Sequence, residues 1–108
     1  MSKINIEISL KKNNIKDINL KTQGILQDNR IKYKEDKVMN ILDIKEETLK
    51  RKTDEYDLII DFKNKMIKTE YLNIKIRIIN KQKEQNNFNI KYEIIDTKDI
   101  FEYKINWR

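Results

Sequence analysis

Apolar and polar residues alternate along most of this chain. Ile4, Ile6, Ile8 and Leu10 are interleaved with Lys3, Asn5, Glu7, Ser9 and Lys11, and a period of two marks a strand with one buried face. Lys12-Asn13-Asn14 predicts a turn, because asparagine tolerates left-handed backbone. Ile18, Leu20 and Thr22 resume the alternation, and Gly24, the only glycine, predicts a bend or bulge. Gln27-Asp28-Asn29 predicts a second turn before the strand of Ile31 and Tyr33. Further on, Tyr56, Leu58, Ile60 and Phe62 share a face, Lys63-Asn64-Lys65 turns the chain, and Met66 to Tyr71 returns. Ile74, Ile76 and Ile78 form the next strand, and the polar run from Asn80 to Asn87 predicts a solvated loop. Phe88, Ile90, Tyr92 and Ile94, then Phe101, Tyr103, Ile105 and Trp107, alternate on either side of a turn at residues 96–99.

Residues 36–52 fit two patterns. Val38, Met39, Leu42 and Leu49 would cluster on a helix that Asp36 could cap. As strands, Met39, Ile41 and Asp43 make one hairpin arm, Lys45-Glu46-Glu47 the turn, and Thr48 to Thr53 the other arm. Strands are favoured, because the short connections on either side leave little room for a helix. The chain then holds about eight or nine strands with turn signals every 8 to 12 residues or so, the spacing of an antiparallel meander, sandwich or barrel. An open sheet of that size would expose two long edges, and closure into a barrel removes them. The predicted inner wall is Ile4, Ile6, Ile8, Leu10, Leu58, Ile60, Ile76, Ile78, Ile90, Tyr92, Phe101 and Tyr103, with Trp107 plugging one end.

Composition supports the all-β reading. Isoleucine occurs 21 times and alanine never, and β-branched side chains suit a pleated surface. The 108 residues fit one domain spanning 1–108. No apolar run approaches the roughly 20 residues of a membrane helix, and the start alternates where a secretion signal would be continuously apolar. A cytoplasmic, membrane-free protein is expected.

Cysteine and histidine are absent, which removes disulfides, thiolate ligands and the commonest general base. No glycine loop for phosphate and no nucleophile with a positioned base is present. The expectation is a non-enzyme with no cofactor and no metal. The net charge of +6 invites a nucleic-acid partner. Against it, 20 of the basic residues are lysine and 4 arginine, the reverse of what phosphate recognition favours. The abundance of Ile, Asn and Lys also matches an AT-rich coding sequence.

The candidate binding residues are Arg51, Tyr33, Tyr71, Tyr92 and Tyr103. Arg51 lies two positions beyond Leu49, so an ideal strand points it inward, where it needs a carboxylate such as Glu35 or Asp43, or an anionic ligand. The tyrosines could line a pocket with oriented hydroxyls, although such residues more often pack a barrel wall. Glu46-Glu47 and Asp54-Glu55 are adjacent pairs in predicted turns and are expected to be solvated.

Tyr33 with Glu35, Leu49-Lys50-Arg51, Thr69-Glu70-Tyr71, Tyr92 and Trp107 together resemble the YwiB-like family of uncharacterised bacterial proteins. That family's tyrosine-x-threonine-x-tyrosine-glycine pattern is altered here, with Ile67 in place of the first aromatic and Leu72 in place of the glycine. The resemblance implies a calycin-type, lipocalin-like barrel and no particular activity. The expected function is binding of a small apolar or anionic ligand in an interior cavity of roughly 300 Å³ or more. The alternative is a structural or interaction module, monomeric or homodimeric, with Ile59, Ile79 and Ile95 as an outer apolar patch.

Overall fold

The computed structural model describes residues 2–108 and contains ten strands and no helix. The strands are β1 (Ser2–Lys12), β2 (Ile15–Gln27), β3 (Arg30–Glu35), β4 (Val38–Asp43), β5 (Thr48–Lys52), β6 (Asp57–Asp61), β7 (Met66–Thr69), β8 (Asn73–Glu84), β9 (Asn87–Ile94) and β10 (Ile100–Trp107). Each pairs antiparallel with the next, and β10 returns to β1, so the meander closes into a barrel. With no helix among the described residues, none is long and apolar enough to cross a membrane. The ambiguous stretch is the β4–β5 hairpin.

One glycine cannot serve every tight turn, so the left-handed positions fall to Asn13, Asn14, Asp28, Asp36, Glu47, Lys65 and Lys98. Asn13 and Asn14 both have positive φ, the requirement of a type I′ hairpin. Gly24 has a different task. It pairs in regular register with Ile4 and Tyr33 and makes no bulge. A Cβ there would run into Ile6 Cδ1 and sit 2.6 Å from the Lys32 carbonyl oxygen, so the position lacks a side chain because the neighbouring strand leaves no room. The register shifts lie elsewhere, beside Leu10 and between Ile78 and Asn80.

The second shift changes what β8 does. Before it Ile76 and Ile78 face inward; after it the inward positions are Lys81 and Lys83, opposite Ile90 and Phe88. The expected loop over Asn80–Asn87 is therefore mostly strand, turning only at Gln85-Asn86. Its polarity has a physical reason: residues 80–86 are exposed throughout, while the facing β9 arm buries Phe88 and Ile90. Lys81 and Lys83 reach across the lower end of the barrel to Glu47 in the β4–β5 turn, at 2.8 and 3.3 Å. Glu47 is buried, contrary to the expectation for an adjacent acidic pair, since only its partner Glu46 is exposed. Burial raises the Glu47 pKa, but the hydrogen bonds and charges of the two lysines hold it below the ordinary carboxylate value.

Beneath this strap lies the apolar core. Ile31, Leu42, Phe88 and Ile105 are fully buried and sit in the lower half of their strands, with Trp107 at the same end. Every member of the predicted inner wall is buried or packed against this core. The expected outer apolar patch does not form: the Arg77–Glu93 ion pair (3.1 Å) lies between Ile79 and Ile95, and β7 separates Ile59 from β8.

Candidate functional site

The upper half of the barrel is polar inside. Tyr33 pairs with Asn40, Asn40 with Arg51 and Arg51 with Leu58, so one cross-strand row of β3, β4, β5 and β6 carries three polar side chains on the inner face. Arg51 points inward as its spacing from Leu49 predicts. Its Nη2 donates to both carboxylate oxygens of Glu35, at 3.2 and 3.4 Å. Asp43, the other partner considered, lies at the lower end and pairs with Arg30 at 3.2 Å. The side chains of Arg51 and Glu35 keep 21% and 19% of their surface exposed, so the pair sits at the inner edge of the upper rim.

Across the interior, the hydroxyls of Tyr33 and Tyr103 share a hydrogen bond of 2.7 Å. Burial pushes both phenols well above their ordinary pKa, and burial takes Tyr92 up to about 12 against the counter-pull of Arg51. All three therefore stay protonated and uncharged at neutral pH.

These groups surround a cavity of about 70 Å³, lined also by Ile8, Leu10, Ile18 and Phe101. That is far below the 300 Å³ expected. Aromatic rings fill the difference: Phe62 contacts Phe88 (5.9 Å between centroids) and Tyr92 (5.6 Å), and Tyr92 stacks on Phe101 (5.5 Å). Two of the residues that line the cavity carry buried polar atoms without partners, Asn40 Oδ1 and Arg51 Nε, both out of contact with solvent; Asn87 Oδ1 and Asn89 Oδ1, outside this cavity, are in the same state. A buried donor or acceptor left unmet costs about 1–3 kcal/mol, so such atoms need an explanation.

Four of the five candidate residues, Arg51, Tyr33, Tyr92 and Tyr103, line this one cavity. Tyr71 does not. It is 89% exposed, because β7 stops at Thr69, whose hydroxyl accepts the N–H groups of Tyr71 and Leu72 at 3.3 and 3.1 Å. The chain turns before Tyr71 can face inward. It borders instead an outer groove of about 290 Å³ with Tyr56, between the β5–β6 and β7–β8 hairpins. A larger outer groove of about 420 Å³ crosses β2, β1 and β10; Lys21 and Glu7 face each other there at 3.6 Å. None of the unpaired buried polar atoms among the described residues borders it, and it has the make-up of ordinary sheet surface.

Asn40 is the residue that pattern reading missed. With Met39 and Ile41 flanking it, apolar alternation assigns the inward face of β4 to the odd positions; the structure buries Asn40 and Leu42 and leaves Met39 36% exposed. A polar residue at an inward position inverts the apparent parity. The available signal was Leu42 facing Leu49 across the turn.

Comparison with protein-family models, curated proteins and solved structures yields no match.

Proposed function

We propose that the protein binds a small molecule in the upper half of its barrel. The observation that carries this is an interior cavity of about 70 Å³ that gathers the Arg51–Glu35 ion pair, Asn40 and the Tyr33–Tyr103 hydroxyl pair in an otherwise packed core. Polar side chains that only filled space would be cheaper as leucine or methionine, since an apolar isostere leaves no unmet group. Closed antiparallel meanders of about eight or more strands commonly hold one small ligand, and the calycin-type resemblance supports the same reading. The cavity measure corresponds to roughly five water-sized spheres, which suits a compact molecule or one end of a larger one. An entrance would lie at the upper rim, where the lining residues Leu10, Ile18 and Phe101 are half-buried.

The test is a screen of small polar fragments by ¹⁵N-correlated NMR, with the Arg51→Met variant as control. Binding moves resonances of Tyr33, Asn40, Arg51 and Tyr103 together in the native protein and not in the variant. A screen in which no fragment moves them, or in which the variant responds equally, removes this function.

A further inference from the structure

We infer that the groove between the β5–β6 and β7–β8 hairpins receives an arginine side chain from an extended segment of a partner protein. The groove shares no lining residue with the interior cavity and is independent of it. Leu58 and Thr69 are register partners on β6 and β7, so the turn before one and the turn after the other leave the barrel side by side at its upper end. The two turns are built alike. Thr53 Oγ1 accepts the N–H groups of Glu55 and Tyr56 at 3.1 and 3.0 Å, as Thr69 Oγ1 accepts those of Tyr71 and Leu72. The Thr53 and Thr69 N–H groups also close the turns on the carbonyl oxygens of Tyr56 and Leu72, at 2.9 and 3.0 Å. Each turn is thereby tied down while its apolar side chains stay outside. Of the eight large apolar side chains exposed among the described residues, three fall here: Tyr56, Tyr71 and Leu72.

Charge selects the occupant. The chain carries +6, yet the groove is lined by Glu55, Asp57 and Glu70 and by no basic side chain. All three carboxylates are exposed, and none makes an ion pair among the described residues. Lys68 is turned to Asp61 at 3.9 Å, and Lys52 faces Asp57 in the ladder without bonding it. An anion is therefore repelled. No carboxylates among the described residues gather closely enough to hold a metal ion, so the cation that fits is organic. Arginine meets each demand: its methylene stem packs on Leu58 and the tyrosines, its guanidinium covers a ring face, and its forked donors reach the carboxylates. A free small cation would stay largely in water in an open groove of about 290 Å³, whereas small-molecule sites bury most of their ligand. Carried on a chain, the same side chain brings apolar neighbours onto Leu72.

The experiment titrates the isotope-labelled full chain at low salt with a short capped peptide of alternating arginine and leucine. Peptides with glutamine or glutamate in place of arginine are run in parallel. The signals followed are the backbone amides of Glu55, Leu58, Glu70 and Tyr71. The arginine peptide moves them together and saturates. The glutamine peptide binds at least about tenfold more weakly, the worth of one or two cation–π and charge contacts, and the glutamate peptide does not bind. Tyr71→Ser, at a side chain too exposed to support the fold, lowers affinity on the order of threefold or more. Glu55→Gln with Glu70→Gln lowers it similarly and flattens its dependence on salt. If the glutamine peptide binds as tightly, the groove is merely apolar and the inference falls. If the same signals move when the protein alone is concentrated, a second copy is the occupant and the inference falls too. An arginine peptide that moves none of them, or that binds the Tyr71→Ser variant as well as the native chain, overturns it outright. The interior cavity is decided by other signals and survives any of these results.

Discussion

Gly24→Ala tests the close approach of β2 to its neighbours. The glycine has no positive φ, so alanine can adopt its backbone and only space is at issue. The added methyl would collide with Ile6 Cδ1 and lie 2.6 Å from the Lys32 carbonyl oxygen. The first obstacle is the end of a side chain and can move. The second is backbone of a paired strand and cannot move without lengthening the β2–β3 ladder. Overpacking of this kind costs about 1–3 kcal/mol, while replacing glycine returns about 0.4–1 kcal/mol through the unfolded chain. The net is a loss of roughly 1–2 kcal/mol, or a fall in Tm of about 5–10 °C for a domain of this size. Urea unfolding followed by fluorescence of Trp107, the single and buried tryptophan, measures it directly. Ile6→Val deletes the colliding Cδ1 and by itself costs about 0.5–1.5 kcal/mol. Combined with Gly24→Ala it should cost less than the sum of the two by about 0.5 kcal/mol or more, the coupling of residues in contact. If Gly24→Ala is as stable as the native protein, or the double variant is strictly additive, the claimed crowding is refuted.

Other expectations concern charge and burial. Glu47 has a folded pKa below its ordinary value of 4.5, so its stabilisation is present above that pH and is lost as pH falls through the folded value; acid unfolding curves of Glu47→Gln should be shallower than those of the native protein over that range. The buried phenols act in the opposite direction: with folded pKa values raised, they stabilise below about pH 10 and lose that effect as pH rises, by roughly 1.4 kcal/mol per unit for each group. For Tyr92 the loss ends near 12, and Tyr92→Phe should flatten the alkaline limb of a stability-against-pH curve. Tyr33→Phe removes the 2.7 Å buried bond to Tyr103 and should cost about 1–2 kcal/mol in urea, an unchanged midpoint being the contrary result. Arg51→Met leaves the Glu35 carboxylate half-buried and unpaired, a loss of about 1–3 kcal/mol that Glu35→Gln in the same chain should partly restore.

Strand positions were legible because large apolar residues, nine of the seventeen buried ones isoleucine, mark most inward sites, and period two survives even where the strand is short. β4 shows how that reading fails. Asn40 occupies an inward site, so the pattern found the strand but assigned none of its residues to the inner wall. Arg51 was legible from its spacing alone, because a charged residue two positions past a core leucine has few places to go. The strap of Glu47, Lys81 and Lys83 was not. It depends on a bulge that swaps the faces of β8, and nothing in a polar run distinguishes a wet strand from a loop. Tyr71 was misplaced because a threonine hydroxyl can end a strand locally, while periodicity extends it past the turn.

The ring of strands has one seam. Nine of its ten pairings join neighbours in sequence, and only β1 with β10 brings distant parts together, from Ile6 with Trp107 to Lys12 with Phe101. Hairpins can zip locally, whereas this seam must overcome the loop entropy of nearly the whole chain. It is thus the joint with the largest closure entropy, offset by seven paired positions against three in the β7–β8 ladder. Ile8 and Leu10 stand on one lip and Phe101 and Tyr103 on the other, all four bordering the polar cavity. Opening there would admit a guest sideways into the barrel, and would briefly bare two raw edges on which chains at high concentration could stack.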